Sequence, residues 1–170
     1  MGLRIPRLQV RLLPGAPLFR ILTAVEKELS FLKEALKEAK KAFFLGEVPI
    51  GAVVVKDDQI IGRGFNRKEF LQSPTAHAEI LAIEEAAKNL GSWRLGGCTL
   101  YSTVEPCVMC CGAIIQSRIE RVVYAVADEK FGGVESLYSL LEGRATAVKV
   151  ELPEALELLK SFFSLLRDRG

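Results

Sequence analysis

Histidine is nearly missing from this chain of 170 residues, which holds one, His77. Cysteine is sparse: Cys98, Cys107, Cys110 and Cys111 make up the whole complement. Two of the four stand at metal-ligand spacing, so no disulfide framework is expected, and a reducing cytoplasm fits. No apolar run approaches the roughly 20 residues that cross a bilayer, so no membrane partner is expected. Strong net charge is missing as well. The formal charge of +2 hides an asymmetry. Residues 1–25 hold Arg4, Arg7, Arg11 and Arg20 and no acid, and the remainder carries 19 basic against 21 acidic side chains. Any affinity of the folded body for nucleic acid must therefore come from a local patch.

The N-terminal segment also lacks a hydrophobic period, and it contains Pro6, Pro14 and Pro17. It has neither the unbroken apolar core nor the cleavage site of a signal peptide. Three readings stay open: a basic tail, an organellar address, or an upstream start. The expectation is a basic, poorly ordered extension over 1–29, followed by one domain over 30–170.

What is present concentrates in two short motifs, T75-A-H-A-E79 and E105-P-C-V-M-C110. Zinc takes imidazole nitrogen and thiolate sulfur in tetrahedral geometry, and three protein ligands leave the open corner of a catalytic site. His77, Cys107 and Cys110 supply three such ligands, for one Zn2+ per subunit. Water at an open corner ionises near neutral pH, but the leaving group of a hydrolysis still needs a proton. Glu79, two residues after His77, is the candidate carrier. A lone C-x-x-C also reads as a redox pair or as two core cysteines. A four-cysteine structural site is the competing metal reading, and it leaves His77 and Glu79 without a purpose. Cys98 and Cys111 read as structural.

Periodicity predicts a helix over 30–44 with Ser30 as N-cap, and a hairpin of strands 50–55 and 60–65 around a turn at 57–59. A helix over 76–89 would carry His77 and Glu79 in its first turn. Strand 98–103 runs into a second helix that starts at Pro106, putting Cys107 and Cys110 on one face. Strand 121–126, a helix over 134–141, strand 145–150 and a helix over 153–167 complete the chain. The last helix has an apolar face of Ala155, Leu156, Leu159, Phe162, Phe163 and Leu166, which reads as core. Alternating strands and helices after a hairpin imply an α/β fold, a mixed five-stranded sheet in three α/β/α layers.

H-x-E followed by P-C-x-x-C is the signature of the zinc-dependent nucleobase deaminases. With G46-E-V-P-I-G-A-V-V-V55, the Asn66–Arg67 step, G97-C-T-L-Y-S-T103 and S117-R-I-E-R-V-V-Y124, the chain resembles bacterial tRNA-specific adenosine deaminases of the cytidine deaminase-like superfamily over about residues 30–168. The resemblance implies hydrolytic deamination of adenosine to inosine at the wobble position of a tRNA anticodon stem-loop, by a homodimer. It implies His77, Cys107 and Cys110 as ligands and Glu79 as proton shuttle. Asn66 would meet the substrate nucleotide, or serve as a turn residue. Ala78, Val48 and Pro49 would form pocket walls. Asp128 would approach the ribose, or be a solvated loop acid. Two departures stand out. The Asn-His-Arg run common in the family before the last strand is replaced by E142-G-R-A-T-A-V-K-V150, which would shift RNA contacts to Arg144 and Lys149. Phe65 stands where a polar residue is common, and reads as a base-stacking or a core residue. The alternative activity is a free-base or nucleoside deaminase, of guanine or cytosine type, with the same metal chemistry.

Overall fold

The structure is a computed structural model that describes residues 18–168. Residues 1–17, most of the expected extension, lie outside the described residues. Helix α1 spans Leu18–Phe44, so the boundary expected at residue 30 falls inside it. Its inner face repeats at threes and fours through Ile21, Val25, Leu29, Leu32, Leu36 and Ala39, all at least half-buried, as an amphipathic helix requires. Ser30 is not a cap: its hydroxyl donates to the Lys27 carbonyl at 2.7 Å within the helix. The early turns are held to the sheet by Glu28, whose carboxylate meets Arg121 at 2.9 Å, and by Lys27 paired with Asp58. These partners are distant in sequence, which is why local composition hid the helix.

Five strands follow: β1 Gly51–Lys56, β2 Gln59–Phe65, β3 Thr99–Val104, β4 Arg121–Val126 and β5 Thr146–Lys149. They lie in the order β2-β1-β3-β4-β5. The first two pairings are antiparallel and the last two parallel. Asp57 and Asp58, both at positive φ, make the tight hairpin turn, a conformation aspartate tolerates. Side chains alternate across the sheet. Ala52, Val54, Leu100, Val122 and Tyr124 face α2 (Ala78–Leu90) and α3 (Val108–Ser117), while Val53, Val55, Tyr101, Val123 and Ala125 face α1 and α4 (Pro153–Arg167). The fold is the mixed, three-layer α/β/α sandwich that the pattern implied.

The mixed order has a consequence for function. Because β2 and β3 each run antiparallel to β1, they run the same way, as do β4 and β5. The approach to β1 and the exits of β2, β3, β4 and β5 therefore share one end of the sheet. Val48, Pro49, Asn66, Cys107 and Asp128 all fall there. Lys149, the last residue of β5, is also at that end, but Arg144 precedes β5 and lies at the opposite one. Arg144 therefore does not share the end of the sheet that carries the candidate site residues.

Two further expectations change. Residues 134–141 are turns and irregular chain, not a helix. The amides of Val134, Glu135 and Ser136 all donate to the Glu105 carboxylate, so they do not build an i to i−4 ladder. On α4, Ala155 and Phe162 are buried, but Leu156, Phe163 and Leu166 are exposed. One side of that face, through Ala155 and Phe162, is covered, and the other side is left open.

Candidate active site

Two helix starts converge on the sheet end. His77 is the N-cap of α2, with extended backbone, and Cys107 is the N-cap of α3. Each helix begins two residues later than its pattern suggested, with His77 and Cys107 held in the extended conformation of a cap. Neither side chain caps its own helix, which leaves both free for another partner. Gly62 and Gly64 let α2 approach: a Cβ at Gly64 would land on the Ala78 carbonyl, and one at Gly62 on the Ala82 carbonyl.

His77 Nδ1 lies 3.6 Å from Cys107 Sγ and 3.7 Å from Cys110 Sγ, and the two sulfurs are 3.7 Å apart. Tetrahedral zinc, with bonds of about 2.3 Å to sulfur and about 2.1 Å to nitrogen, requires separations of about 3.8 Å between sulfurs and about 3.6 Å from nitrogen to sulfur. The three atoms thus fit the ion in number, chemistry and spacing. Cys98 and Cys111 are buried away from this set, and Cys111 Sγ donates to the Pro106 carbonyl at 3.6 Å. Among the described residues neither belongs to the ligand trio.

Electrostatics follow the geometry. The Cys110 thiol beside it holds Cys107 down to about 4, against burial and with help from His77. Cys110 is pushed up by the Cys107 sulfur and by burial. The contact with Cys107 raises the His77 imidazole, burial opposes that rise, and the Glu79 carboxylate assists it. Glu79 is 4% exposed. Burial, opposed by its own amide and assisted by the Cys107 sulfur, pushes its carboxyl up to about 7. A carboxyl in that range can both accept and return a proton near neutral pH.

The remaining residues picked from sequence gather around this core with different duties. Asn66 is buried, donating through Nδ2 to the Val48 carbonyl at 3.3 Å and accepting the Lys68 amide through Oδ1 at 3.3 Å. The Val48 carbonyl also accepts the Ile50 amide at 2.8 Å, so Val48–Pro49 is a tight corner tied to Asn66. Ala78 is fully buried at the start of α2. Asp128 uses Oδ1 on the amides of Lys130 and Phe131, at 3.0 and 3.2 Å, which shapes its own loop. Phe65 is half-buried, with Lys41 and Arg67 against its ring.

Two carboxylates escaped the sequence reading. Glu105 is 2% exposed and accepts the amides of Asp128, Val134, Glu135 and Ser136 at 2.8–3.1 Å, plus the Ser136 hydroxyl. Burial alone would raise its carboxyl, but the amide of Glu135, the hydroxyl and amide of Ser136 and the amide of Asp128 together hold it below the usual range. Glu47 is also 2% exposed and accepts the amides of Glu69 and Phe70. The signal was an acid inside an apolar stretch, T103-V-E105-P and G46-E47-V-P, where an ionised side chain is retained only with partners.

A recess of about 410 Å³ opens beside Cys107, lined by Val108, Met109, Lys130, Phe131, Leu137 and Tyr138. Another, about 670 Å³, follows the uncovered face of α4 and touches none of the site residues. No described helix is long and apolar enough to cross a membrane.

The model of the MafB19-like deaminase family matches residues 26–167. The tRNA-specific adenosine deaminase of Aquifex aeolicus is 49% identical over 143 residues, covering 81% of this chain and 95% of that protein. A solved tRNA:A34 deaminase superposes with a TM-score of 0.72 at 41% identity, over 77% of this chain and 99% of that one. The guanine deaminase of Bacillus subtilis superposes less closely, with a TM-score of 0.56 at 35% identity, over 79% of this chain and 92% of that one.

Proposed function

Given that this chain belongs to the MafB19-like deaminases and, among them, to the tRNA-specific adenosine deaminases, we propose that it hydrolyses adenosine to inosine at the wobble position of a tRNA anticodon. The observation that carries the chemistry is the trio of His77 Nδ1, Cys107 Sγ and Cys110 Sγ at 3.6–3.7 Å from one another, beside the buried Glu79. These three residues would hold one zinc ion, whose chemistry when bound is Lewis-acid activation of water at neutral pH.

The protein's own groups do the rest. Glu79 takes a proton from the water that adds to C6 of adenine and delivers a proton to the departing amine. The C6–N bond breaks and ammonia leaves. C6 keeps the water oxygen, and the second water proton ends on ring N1. A buried carboxyl beside the ligand set is placed to make both transfers. Asn66, held by Val48 and Lys68, presents a fixed amide edge to the nucleotide. The Val48–Pro49 corner and Ala78 wall the pocket, and Asp128 borders the ribose side through the loop that Glu105 holds. Val108, Phe131, Leu137 and Tyr138 crowd large exposed apolar surface beside Cys107. A patch of that kind marks an interaction site, and a second copy of this chain is the occupant in this reading, giving a homodimer that works in the cytoplasm on tRNA.

The test is zinc-loaded protein with an anticodon stem-loop carrying adenosine at the wobble position, alongside a panel of free bases and nucleosides. Inosine should form in the stem-loop alone. Turnover of guanine or cytosine with an unchanged stem-loop would replace this reading with the free-base one. Glu79→Ala should keep the zinc and lose turnover.

A further inference from the structure

Between Asn66 and His77 the chain makes a compact loop whose two ends are both site residues. Arg67 N donates to the Ala76 carbonyl at 3.0 Å, Leu71 N to the Arg67 carbonyl at 2.9 Å, and Ser73 N to the Lys68 carbonyl at 3.1 Å. At its tip Phe70 is 62% exposed. Water normally disfavours so large an apolar ring at a loop tip, and a flexible loop would fold it away. Here it is held out. The buried Glu47 carboxylate accepts the Phe70 amide at 2.6 Å and the Glu69 amide at 3.2 Å, so the backbone beneath the ring is fixed.

The ring is also backed. The Arg67 guanidinium lies 5.1 Å from the Phe70 centroid and 5.4 Å from that of Phe65, and Lys41 Nζ lies 6.0 Å from Phe65 on its way. Cations and rings thus alternate as Lys41, Phe65, Arg67, Phe70. Among the described residues Arg67 Nε has no hydrogen-bond acceptor, and its guanidinium packs against the two rings. Lys41 is paired with the buried Glu38 at 2.8 Å, so the positive charge offered to a polyanion comes from Arg67 and the exposed Lys68 next in the loop, with one exposed acid, Glu69, among them.

We propose that Phe70, propped by Arg67 and Phe65, is a stacking platform for an unpaired nucleobase adjacent in the RNA to the adenosine being deaminated. A rigid aromatic face within a basic surround is how single-stranded nucleic acid is gripped without reading its sequence. The platform sits at the end of the sheet where Asn66 and His77 emerge, so the base it takes is a neighbour of the target. This inference rests on the RNA substrate of the preceding reading.

The experiment measures binding of a labelled anticodon stem-loop to zinc-loaded protein carrying Glu79→Ala, so that no conversion occurs. Phe70→Ala should raise Kd about tenfold, within the range of one base–aromatic stack. Phe70→Leu keeps the bulk without the π face and should lose as much, whereas Phe70→Trp should bind at least as tightly as the parent. Stem-loops made abasic at single positions flanking the wobble nucleotide locate the partner. At one of them the parent should weaken about tenfold and Phe70→Leu should cost nothing further. Parent-like affinity for both Phe70→Ala and Phe70→Leu, or an undiminished loss on every abasic stem-loop, would overturn the proposal. A wild-type protein that converts no stem-loop would instead sink the substrate reading. Changed oligomer mass in Phe70→Leu would assign the ring to a protein contact and likewise overturn it.

Discussion

Glu105→Gln removes a charge and almost no volume, and its cost can be worked from the contacts. Oε1 accepts three amides, from Val134, Glu135 and Ser136. Oε2 accepts the Asp128 amide at 3.0 Å and the Ser136 hydroxyl. In the glutamine the carbonyl oxygen best keeps the three amides, which turns the NH2 towards Asp128 and Ser136. The Ser136 hydroxyl can rotate and accept, but the Asp128 N–H is left facing a donor, at a cost of about 1–3 kcal/mol. The three retained bonds lose their charge assistance, worth about 1 kcal/mol each. The sum, about 4–6 kcal/mol, is a large part of a typical domain's stability of about 5–15 kcal/mol. It falls first on the 128–136 loop, which meets the ligand helix through the Gly133 amide on the Pro106 carbonyl at 2.8 Å and a bridge from Gly132 to Cys107. Hydrogen exchange read by mass spectrometry should therefore show 128–136 opening in the variant while β1 and β3 stay protected, with a lower melting temperature. Wild-type protection of those amides in Glu105→Gln would refute the account of Glu105 as the anchor of this loop.

Gly64→Ala should destabilise by at least about 1–3 kcal/mol, the usual cost of overpacking, because its Cβ meets the Ala78 carbonyl and the Ala82 amide of α2 rather than a side chain that can yield; thermal melts decide it, and an unchanged midpoint would contradict the close approach. Cys110→Ala should abolish stoichiometric zinc by elemental analysis, whereas Cys98→Ala should retain it; retention in both would mean that Cys110 is no ligand. Tyr101 and Tyr124 have pKa values raised by burial and by their hydrogen bonds to Glu28 and Glu135. Their contribution is complete below the unfolded tyrosine value of about 10 and is lost as pH climbs through the higher folded value. Tyrosinate absorbance from these two should therefore appear only with unfolding, and ionisation in the folded state near pH 10 would contradict the burial.

The metal set was legible because zinc chemistry restricts which side chains serve, and the spacing of two of them is local. Helix and strand identities were legible from period for the same reason. What escaped depends on partners far along the chain. The apolar positions Val134, Leu137, Tyr138 and Leu141 have helical spacing, yet a carboxylate about 30 residues earlier claims the amides that a helix would need. The α4 stripe announced amphipathicity but could not say how much of it the sheet covers. Phe65 was readable as core or as stacking surface, and the cations on either side of its ring were not in view.

The placement of Asn66 follows from register rather than from its own chemistry. Ala52 pairs with Gly64 and Val54 with Gly62, and Ala52 and Val54 face α2. Gly62 and Gly64 therefore face α2 as well. Side chains two apart in a strand share a face. Asn66, whose amide continues the pairing to the Ile50 carbonyl at 3.0 Å, is next in that series, and burial alternates to match: 62, 64 and 66 are buried while 61, 63 and 65 are partly open. A slip of one residue would put Phe65 or Arg67 in its place and drive Arg63 into the α2 contact that only glycine fits. The glycines that let α2 sit close thus also dictate which residue the strand delivers to the start of that helix.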